Sequence, residues 1–320
     1  MTEDSLETGN YRKILLATDG SEQSLDVVRY VSSTFFPQST QVVLFNVGTE
    51  FPEVFWDMDE NPLYRSKKPK VMRWLANHQV AMGEFMEIAL KILEDAGFSD
   101  DAVEVKTQAK RIGILADIVQ ESYQNYSALV MGQSGTSKIK DAIFGSLAHR
   151  LVGKIKHIPM VIVGGLPASN RMMVALDESI EAMRVITSIA DLTVAGSQKI
   201  ILCHALRLPG MFRFASGQIP FTERELDWLE YQKNKFRPYM DEAVQRLQQG
   251  GAPSENISRR FVATRGNPIL KIIKTARKKD CGTLAVGRRE AVSFGEAYFR
   301  GRFSEKIINM LENMAVWIVN

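Results

Sequence analysis

The sequence predicts an α/β protein made of two consecutive domains, each a mostly parallel sheet covered by helices. Three observations lead there. Short, continuously apolar runs such as Ile14-Leu15-Leu16-Ala17 and Val42-Val43-Leu44-Phe45 end in polar or glycine tips, as strands buried on both faces do. Between them, apolar residues recur at helical spacing, so strand and helix alternate and right-handed crossovers place helices on both faces. The whole pattern then returns at a period of about 156 residues, which marks a duplicated domain rather than a solenoid of short repeats.

Local signals justify each element in turn. Lys13 to Ala17 is a strand, and Gly20-Ser21-Glu22 opens a helix with Leu25, Val28 and Val31 on one side. Gln41 to Val47 is the second strand. From Gly48 to about Lys70 the chain is irregular but rich in aromatics and prolines (Phe51, Pro52, Phe55, Trp56, Pro62, Tyr64). A loop of that length is lid-like, functional or disordered, and its aromatics argue against disorder. Val71 to about Ala96 reads as a helix with Leu75, Met82, Phe85, Met86, Ala89 and Leu93 on one stripe. Val103, Val105 and Thr107 alternate as a strand, Ile114, Leu115, Ile118 and Val119 mark a helix, and Ala128 to Met131 is a buried strand. Met160 to Val163 closes the first domain, 11–164. Residues 165–170 are loaded with breakers and read as a linker, and 171–320 form the second domain. There Arg171 to Ser179 restates Lys13 to Ser21, with Asp177 on Asp19 and Ser179 on Ser21. Ile200 to Ala205, Arg265 to Ile273, Thr283 to Gly287 and Ala315 to Val319 restate later elements, around a second irregular insert from Arg207 to Pro220 with Phe212 and Phe214.

Composition narrows the classes. The chain has 320 residues, 45% hydrophobic and 24% charged, ordinary for a globular protein of about two domains. Forty basic against 37 acidic residues give +3, a balance that argues against nucleic acid or membrane as a partner. Small basic clusters (Lys67, Lys68, Lys70; Arg259, Arg260; Arg277, Lys278, Lys279) read as solvated faces. Cys203 and Cys281 make neither a disulfide framework nor a zinc pattern, which favours a reducing compartment. Residues 1–10 are polar, read as a disordered tail and are unlike a signal peptide, and no apolar run approaches the roughly 20 residues of a membrane span. The expectation is a soluble, cytoplasmic protein.

The stretch that carries chemistry is Leu129-Val130-Met131-Gly132-Gln133-Ser134-Gly135, then nine residues, then Gly145-Ser146. Gly132 and Gly135 permit φ > 0 and close approach of a ligand to the backbone, and Ser146 is a good N-cap for the apolar stripe Leu147, Leu151, Val152 and Ile155. Free N–H groups at such a turn and helix start suit anionic oxygens. The plain alternative is that these glycines only turn the chain. The spacing is neither a Walker loop nor a dinucleotide fingerprint. Asp19, Val47 and Gly132 each close a strand at its carboxyl end, where open α/β sheets hold ligands.

Gly-x2-Gly-x9-Gly-Ser, Ala17-Thr18-Asp19-Gly20-Ser21 after the first strand, and the duplication together resemble the universal stress protein family, in its ATP-binding branch, over all but the first ten residues. The resemblance implies tandem five-stranded α/β sandwiches of the adenine nucleotide alpha hydrolase-like group, and ATP as ligand, with or without Mg2+. By the same resemblance Gly132, Gly135, Gly145 and Ser146 hold phosphates and Asp19 lies at the ribose–phosphate mouth. Thr18 and Val47 line the adenine side, and Met131 belongs to the same set. The implied function is a nucleotide-dependent regulatory or stress-response module. Two rivals stand beside it: a slow ATP hydrolase and a nucleotide-free interaction module. No general base or nucleophilic set is visible, the Ser-Gly-Gly-x-Asp loop of ATP pyrophosphatases is missing, and His78, His149, His157 and His204 lack metal-ligand spacing. Ser134, Ser137 and Lys138 lie in or near the loop, where Lys138 could reach a phosphate.

Family precedent also implies that the final strands, Val161 to Val163 and Val316 to Val319, pair as an intramolecular pseudo-dimer; a further homodimer stays open. The second domain has Gly287-Arg288-Arg289-Glu290 and Gly301-Arg302 where the first has its glycine loop. A glutamate at the second glycine position restricts the turn and repels phosphate. Arg288, Arg289, Arg300 and Arg302 crowd the same place without restoring the backbone geometry. The second site is expected to be empty or altered.

Overall fold

The computed structural model describes residues 12–48, 68–133, 147–193, 196–208, 221–288 and 313–320. The two aromatic inserts and the segments after Gln133 and Arg288 lie outside the described residues. Strands and helices alternate as the sequence pattern requires. The first repeat holds β1 (Arg12–Ala17), α1 (Glu22–Thr34), β2 (Thr40–Gly48), α2 (Lys68–Asp95), β3 (Val103–Ala109), α3 (Ile114–Glu121), β4 (Ala128–Gly132), α4 (Leu147–Lys154) and β5 (Met160–Val163). The second holds β6 (Arg171–Ala175), α5 (Ile180–Leu192), β7 (Lys199–Arg207), α6 (Glu223–Gln249), β8 (Ile257–Thr264), α7 (Pro268–Lys278), β9 (Thr283–Gly287) and β10 (Ala315–Val319).

Contacts divide the chain into two compact units, residues 1–33 with 37–155, and residues 34–36 with 156–320. In the first unit the strand order is β3-β2-β1-β4, all parallel, with Ala17 opposite both Phe45 and Met131. In the second the order is β5-β10-β9-β6-β7-β8, parallel except for β5 against β10. The two apolar final strands therefore lie side by side, Val161 opposite Trp317 and Val163 opposite Ala315.

Each core follows from those strands. Ile14, Leu15, Leu16, Val42, Val43 and Leu44 are fully buried in the first unit, and Met173, Val174, Leu202 and Trp317 in the second. Each such side chain contributes about 1.5–3 kcal/mol on leaving water. Phe35 stacks on Trp317 with ring centroids 5.5 Å apart. On α2 the expected stripe is buried at Phe85, Met86, Ala89 and Leu93, with Met82 partly so, while the Leu75 side chain lies outside the described residues. β3 departs from its expected alternation: Val105 is 43% exposed. The strand stands at the edge of its sheet, where cover by the described helices is incomplete.

Helix starts are capped by several means. Ser179 and Asn267 cap α5 and α7 with their side-chain oxygens, Asn267 Oδ1 accepting from Ile269 N at 2.9 Å. α6 begins with a capping box between Thr222 and Glu225. The Glu225 carboxylate also accepts from Arg265, Nε at 3.2 Å and Nη2 at 3.1 Å, which with the Thr222 bonds holds it below the ordinary glutamate value. α3 starts at Gly113, which has no side chain to offer. Asp117, fully buried, reaches back instead and accepts from the N–H groups of Arg111, Ile112 and Gly113 at 3.0, 3.1 and 3.4 Å.

Candidate functional site

β1 passes between β2 and β4, and the chain order reverses there: β2 and β3 add on one side, β4 on the other. Such a switch point opens a crevice beyond the carboxyl ends of the strands. Thr18, directly after β1, extends the ladder by donating its N–H to Phe45 O at 2.9 Å, and is 8% exposed. Its Oγ1 accepts from Gly20 N at 3.2 Å. Asp19 Oδ1 accepts from Ser21 N at 3.1 Å and Ser24 Oγ at 2.8 Å, which orients the carboxylate at the mouth of α1. Gly20 has φ +74°, so the turn takes a conformation that suits glycine. On the β2 side, buried Asn46 donates from Nδ2 to Thr18 O at 2.9 Å, which fixes the tip beside partly buried Val47. On the β4 side, Met131 is buried opposite Ala17, and Gly132 ends the strand, partly exposed. Thus Thr18, Asp19, Val47, Met131 and Gly132 all stand at carboxyl ends of three neighbouring strands. Gly135, Gly145 and Ser146 lie outside the described residues, as do Ser134, Ser137 and Lys138.

Two neighbours of this place escaped the sequence pattern. Asn46 is a polar residue inside an apolar strand, a signal that was there to be seen. Met82 of α2 is not foreshadowed: it covers the turn, its Cε only 2.8 Å from where a Cβ on Gly20 would stand.

The second repeat has the same scaffold with different contents. Leu176 N donates to Cys203 O at 2.9 Å, matching Thr18 to Phe45. Asp177 Oδ1 accepts from Ser179 N at 2.9 Å and from Ser179 Oγ. His204 takes the place of Asn46, its Nδ1 2.7 Å from Leu176 O, so Nδ1 carries the proton that the carbonyl accepts. Equivalent helix ends, Phe98 N to Leu93 O and Ala252 N to Leu247 O, put Phe236 of α6 where α2 has Met82. Phe236 is 1% exposed and lies face to face with His204, centroids 3.6 Å apart, while Phe261 meets both rings edge-on at 6.2 Å. Burial holds His204 below its ordinary pKa, against the Leu176 bond and the nearby Asp177 and Glu178 charges, which favour the proton. At the end of β9, a Cβ on Gly287 would fall 2.8 Å from Glu181 C and 2.9 Å from Ala182 N, so the strand tip lies directly on the start of α5. Arg289, Glu290, Arg300, Gly301 and Arg302 lie outside the described residues.

Other reactive groups serve structure. Burial pushes the Cys203 thiol up to about 12 and the Cys281 thiol to about 11, so neither is a thiolate near neutrality. Glu121 accepts from Lys106 Nζ and Tyr126 Oη, each at 2.7 Å, and burial with that carboxylate raises the Tyr126 pKa. Among the described residues no group of three or more His, Cys, Asp or Glu could hold a metal ion, and no helix is long and apolar enough to cross a membrane.

Similar architecture is found in solved structures. A universal stress protein from Archaeoglobus fulgidus DSM 4304 matches with a TM-score of 0.55 and 20% identity, covering 98% of this chain and 99% of its own. A functionally unknown protein from Pseudomonas aeruginosa PAO1 gives 0.52 and 14%, with 97% and 92% covered. A putative universal stress protein from Pseudomonas aeruginosa UCBPP-PA14 gives 0.51 and 16%, with 97% and 93% covered. At these identities the likeness speaks for the fold. A comparison with curated proteins finds no match. The model of the universal stress protein family matches residues 10–164 and again 169–319.

Proposed function

We propose, from the premise that the chain belongs to the universal stress protein family over both matched stretches, that its first repeat binds an adenine nucleotide as a regulatory switch. The observation that carries this is the β1–β4 switch point, where Ala17 pairs with Met131 and the chain runs on to Asp19 and Gly132 just beyond that pair. Its parts fit ATP. Buried Thr18 and Met131 with partly buried Val47 offer a half-apolar wall for a base, and Gly132 offers a backbone that phosphate oxygens can approach. By the sequence pattern, Gly135, Gly145 and Ser146 would complete the phosphate cradle. Among the described residues Asp19 is the carboxylate at these strand ends, and a Mg2+ ion beside it would be held mainly by phosphate oxygens and water, as that ion is commonly bound. Asp19 Oδ1 is engaged by Ser21 and Ser24. It is built to orient and balance charge rather than to move a proton. The reading is therefore binding, with the segment from Gly132 to Gly145 ordered by the ligand.

In the second repeat, the stack of His204, Phe236 and Phe261 and the seating of Gly287 on α5 support a closed counterpart, and thus one nucleotide per chain. ATP at 100 times its dissociation constant should add about 2.7 kcal/mol of stability, read as a rise in melting temperature. Gly145→Val should abolish that rise, and calorimetric titration should give about one site. A variant with an unchanged ATP response would sink the first claim, and two equivalent sites would sink the second.

A further inference from the structure

The near-neutral total charge hides a division. Residues 1–155 hold 16 Lys and Arg against 21 Asp and Glu, whereas residues 156–320 hold 24 against 16. Within the basic part the excess gathers on α7 and the residue after it: Lys271, Lys274, Arg277, Lys278 and Lys279, with no acidic residue between Asn267 and Lys279. The helix buries Ile272, Ile273 and Ala276, and turns Lys271, Lys274, Arg277 and Lys278 outward. Among the described residues, Lys271, Lys274 and Lys278 take part in no ion pair, while Arg259 and Arg265 nearby in sequence are matched by Asp241 and Glu225. Spaced three and four residues apart, the three lysines form one row about 10 Å long.

The first repeat supplies an internal comparison. With the buried Asp117, Ile118 and Glu121 of α3 matched to Ile272, Ile273 and Ala276 of α7, the places of Lys271, Lys274 and Lys278 are held in the first repeat by Ala116, Val119 and Tyr123. The scaffold thus has no need of lysines at these places; only the second repeat has made this helix uniformly basic. Leu270 stands beside the row, 42% exposed. Among the described residues the exposed large aromatics, Phe36, Tyr123 and Tyr231, are on other elements, so none of these offers the lysines a stacking surface of the kind single-stranded nucleic acid uses. An exposed row of lysines with an apolar neighbour fits an anionic lipid surface, which attracts each basic side chain brought near it.

We propose that the outer face of α7 is a docking surface for an anionic lipid bilayer. Lys271, Lys274 and Lys278 meet the phosphate and carboxylate headgroups, and Leu270 lodges at their level. The contact is weak, reversible and screened by salt, as attraction of a few exposed lysines to headgroups is. Whole-chain balance of charge argues against membranes; the segregation of that charge removes the ground for the objection.

The test is sedimentation of the full chain with vesicles of phosphatidylcholine alone, or with about a third phosphatidylserine. Expected is pelleting with the anionic vesicles at about 0.05 M salt, release at about 0.5 M, and none with phosphatidylcholine. Each lysine is expected to contribute about fivefold, so the K271Q/K274Q/K278Q variant should lose roughly a hundredfold in partitioning at an unchanged melting temperature. Leu270→Ser should weaken binding by an amount that salt does not alter. The proposal is overturned by failure to pellet with anionic vesicles, by a triple variant that still pellets, or by tighter binding of the same lysines to a single-stranded RNA oligonucleotide.

Discussion

Replacing Phe236 by alanine tests whether its ring holds the second repeat's crevice shut. The ring is 1% exposed, stacked on His204 at 3.6 Å and met edge-on by Phe261 at 6.2 Å. Truncating a buried Phe costs about 3–5 kcal/mol, and aromatic pairs worth about 0.5–1.5 kcal/mol each place this site toward the upper end. The loss should appear in scanning calorimetry as a lower melting transition for the second unit. A second readout is the pH dependence. Burial keeps the His204 native pKa below the ordinary 6.5, so the unfolded chain takes up the proton first as pH falls. The stability this lends is complete above about pH 6.5 and drains away as the pH drops through the native value. With Phe236→Ala, water reaches the imidazole, its native pKa returns toward 6.5, and the acid-side loss shrinks. His204→Asn installs the first repeat's own solution, an amide N–H for the Leu176 carbonyl, and should abolish that loss. A cost for Phe236→Ala below about 1 kcal/mol, or an unaltered acid slope in His204→Asn, would refute the reasoning.

Two further outcomes are expected. Burial alone would raise the Asp117 pKa, but the N–H groups of Ile112, Arg111 and Gly113 outweigh it and hold the carboxyl below 3.8. Its contribution is therefore present above about pH 4 and lost as pH falls through the lower native value. Asp117→Asn, with one accepting oxygen instead of two, should melt lower at pH 7, and the difference should close in strong acid. Gly20→Ala should cost about 1–2 kcal/mol, measured by chemical denaturation, because φ +74° disfavours a side chain and Met82 Cε stands 2.8 Å from the new Cβ. Pairing it with Met82→Ala should recover the steric part and leave the conformational part.

What could be read in advance follows from the range of the interactions. The strands were legible because parallel strands buried on both faces are apolar throughout, and the duplication because both copies kept that run and its Asp tip. The turn at Asp19 was legible for the same local reason. Asn46 was overlooked although its polarity in an apolar strand marks it. Asp117 was hidden because it acts from inside the helix on N–H groups four to six residues earlier, a task ordinarily met by the residue just before the helix. Val105 misled because alternation shows two faces but not whether a layer covers each. Phe236 on His204 and Met82 on Gly20 join residues more than thirty positions apart, beyond any periodicity. Summed charge concealed the α7 row, since a total carries no positions.

The pairing of β5 with β10 separates descent from packing. The inherited repeat ends near Val163, yet the compact unit that includes β10 begins before Met160 and also takes in Phe35, which stacks on Trp317. A gene fragment cut at the boundary of the repeats would strip the second unit of its outermost strand and of a ring that packs its largest buried side chain. The bare edge of β10, five buried apolar residues long, would then be open to any strand that met it. Fusion of the two copies has thus become more than a tether: the second copy no longer contains, by itself, all the pieces its own sheet is made from.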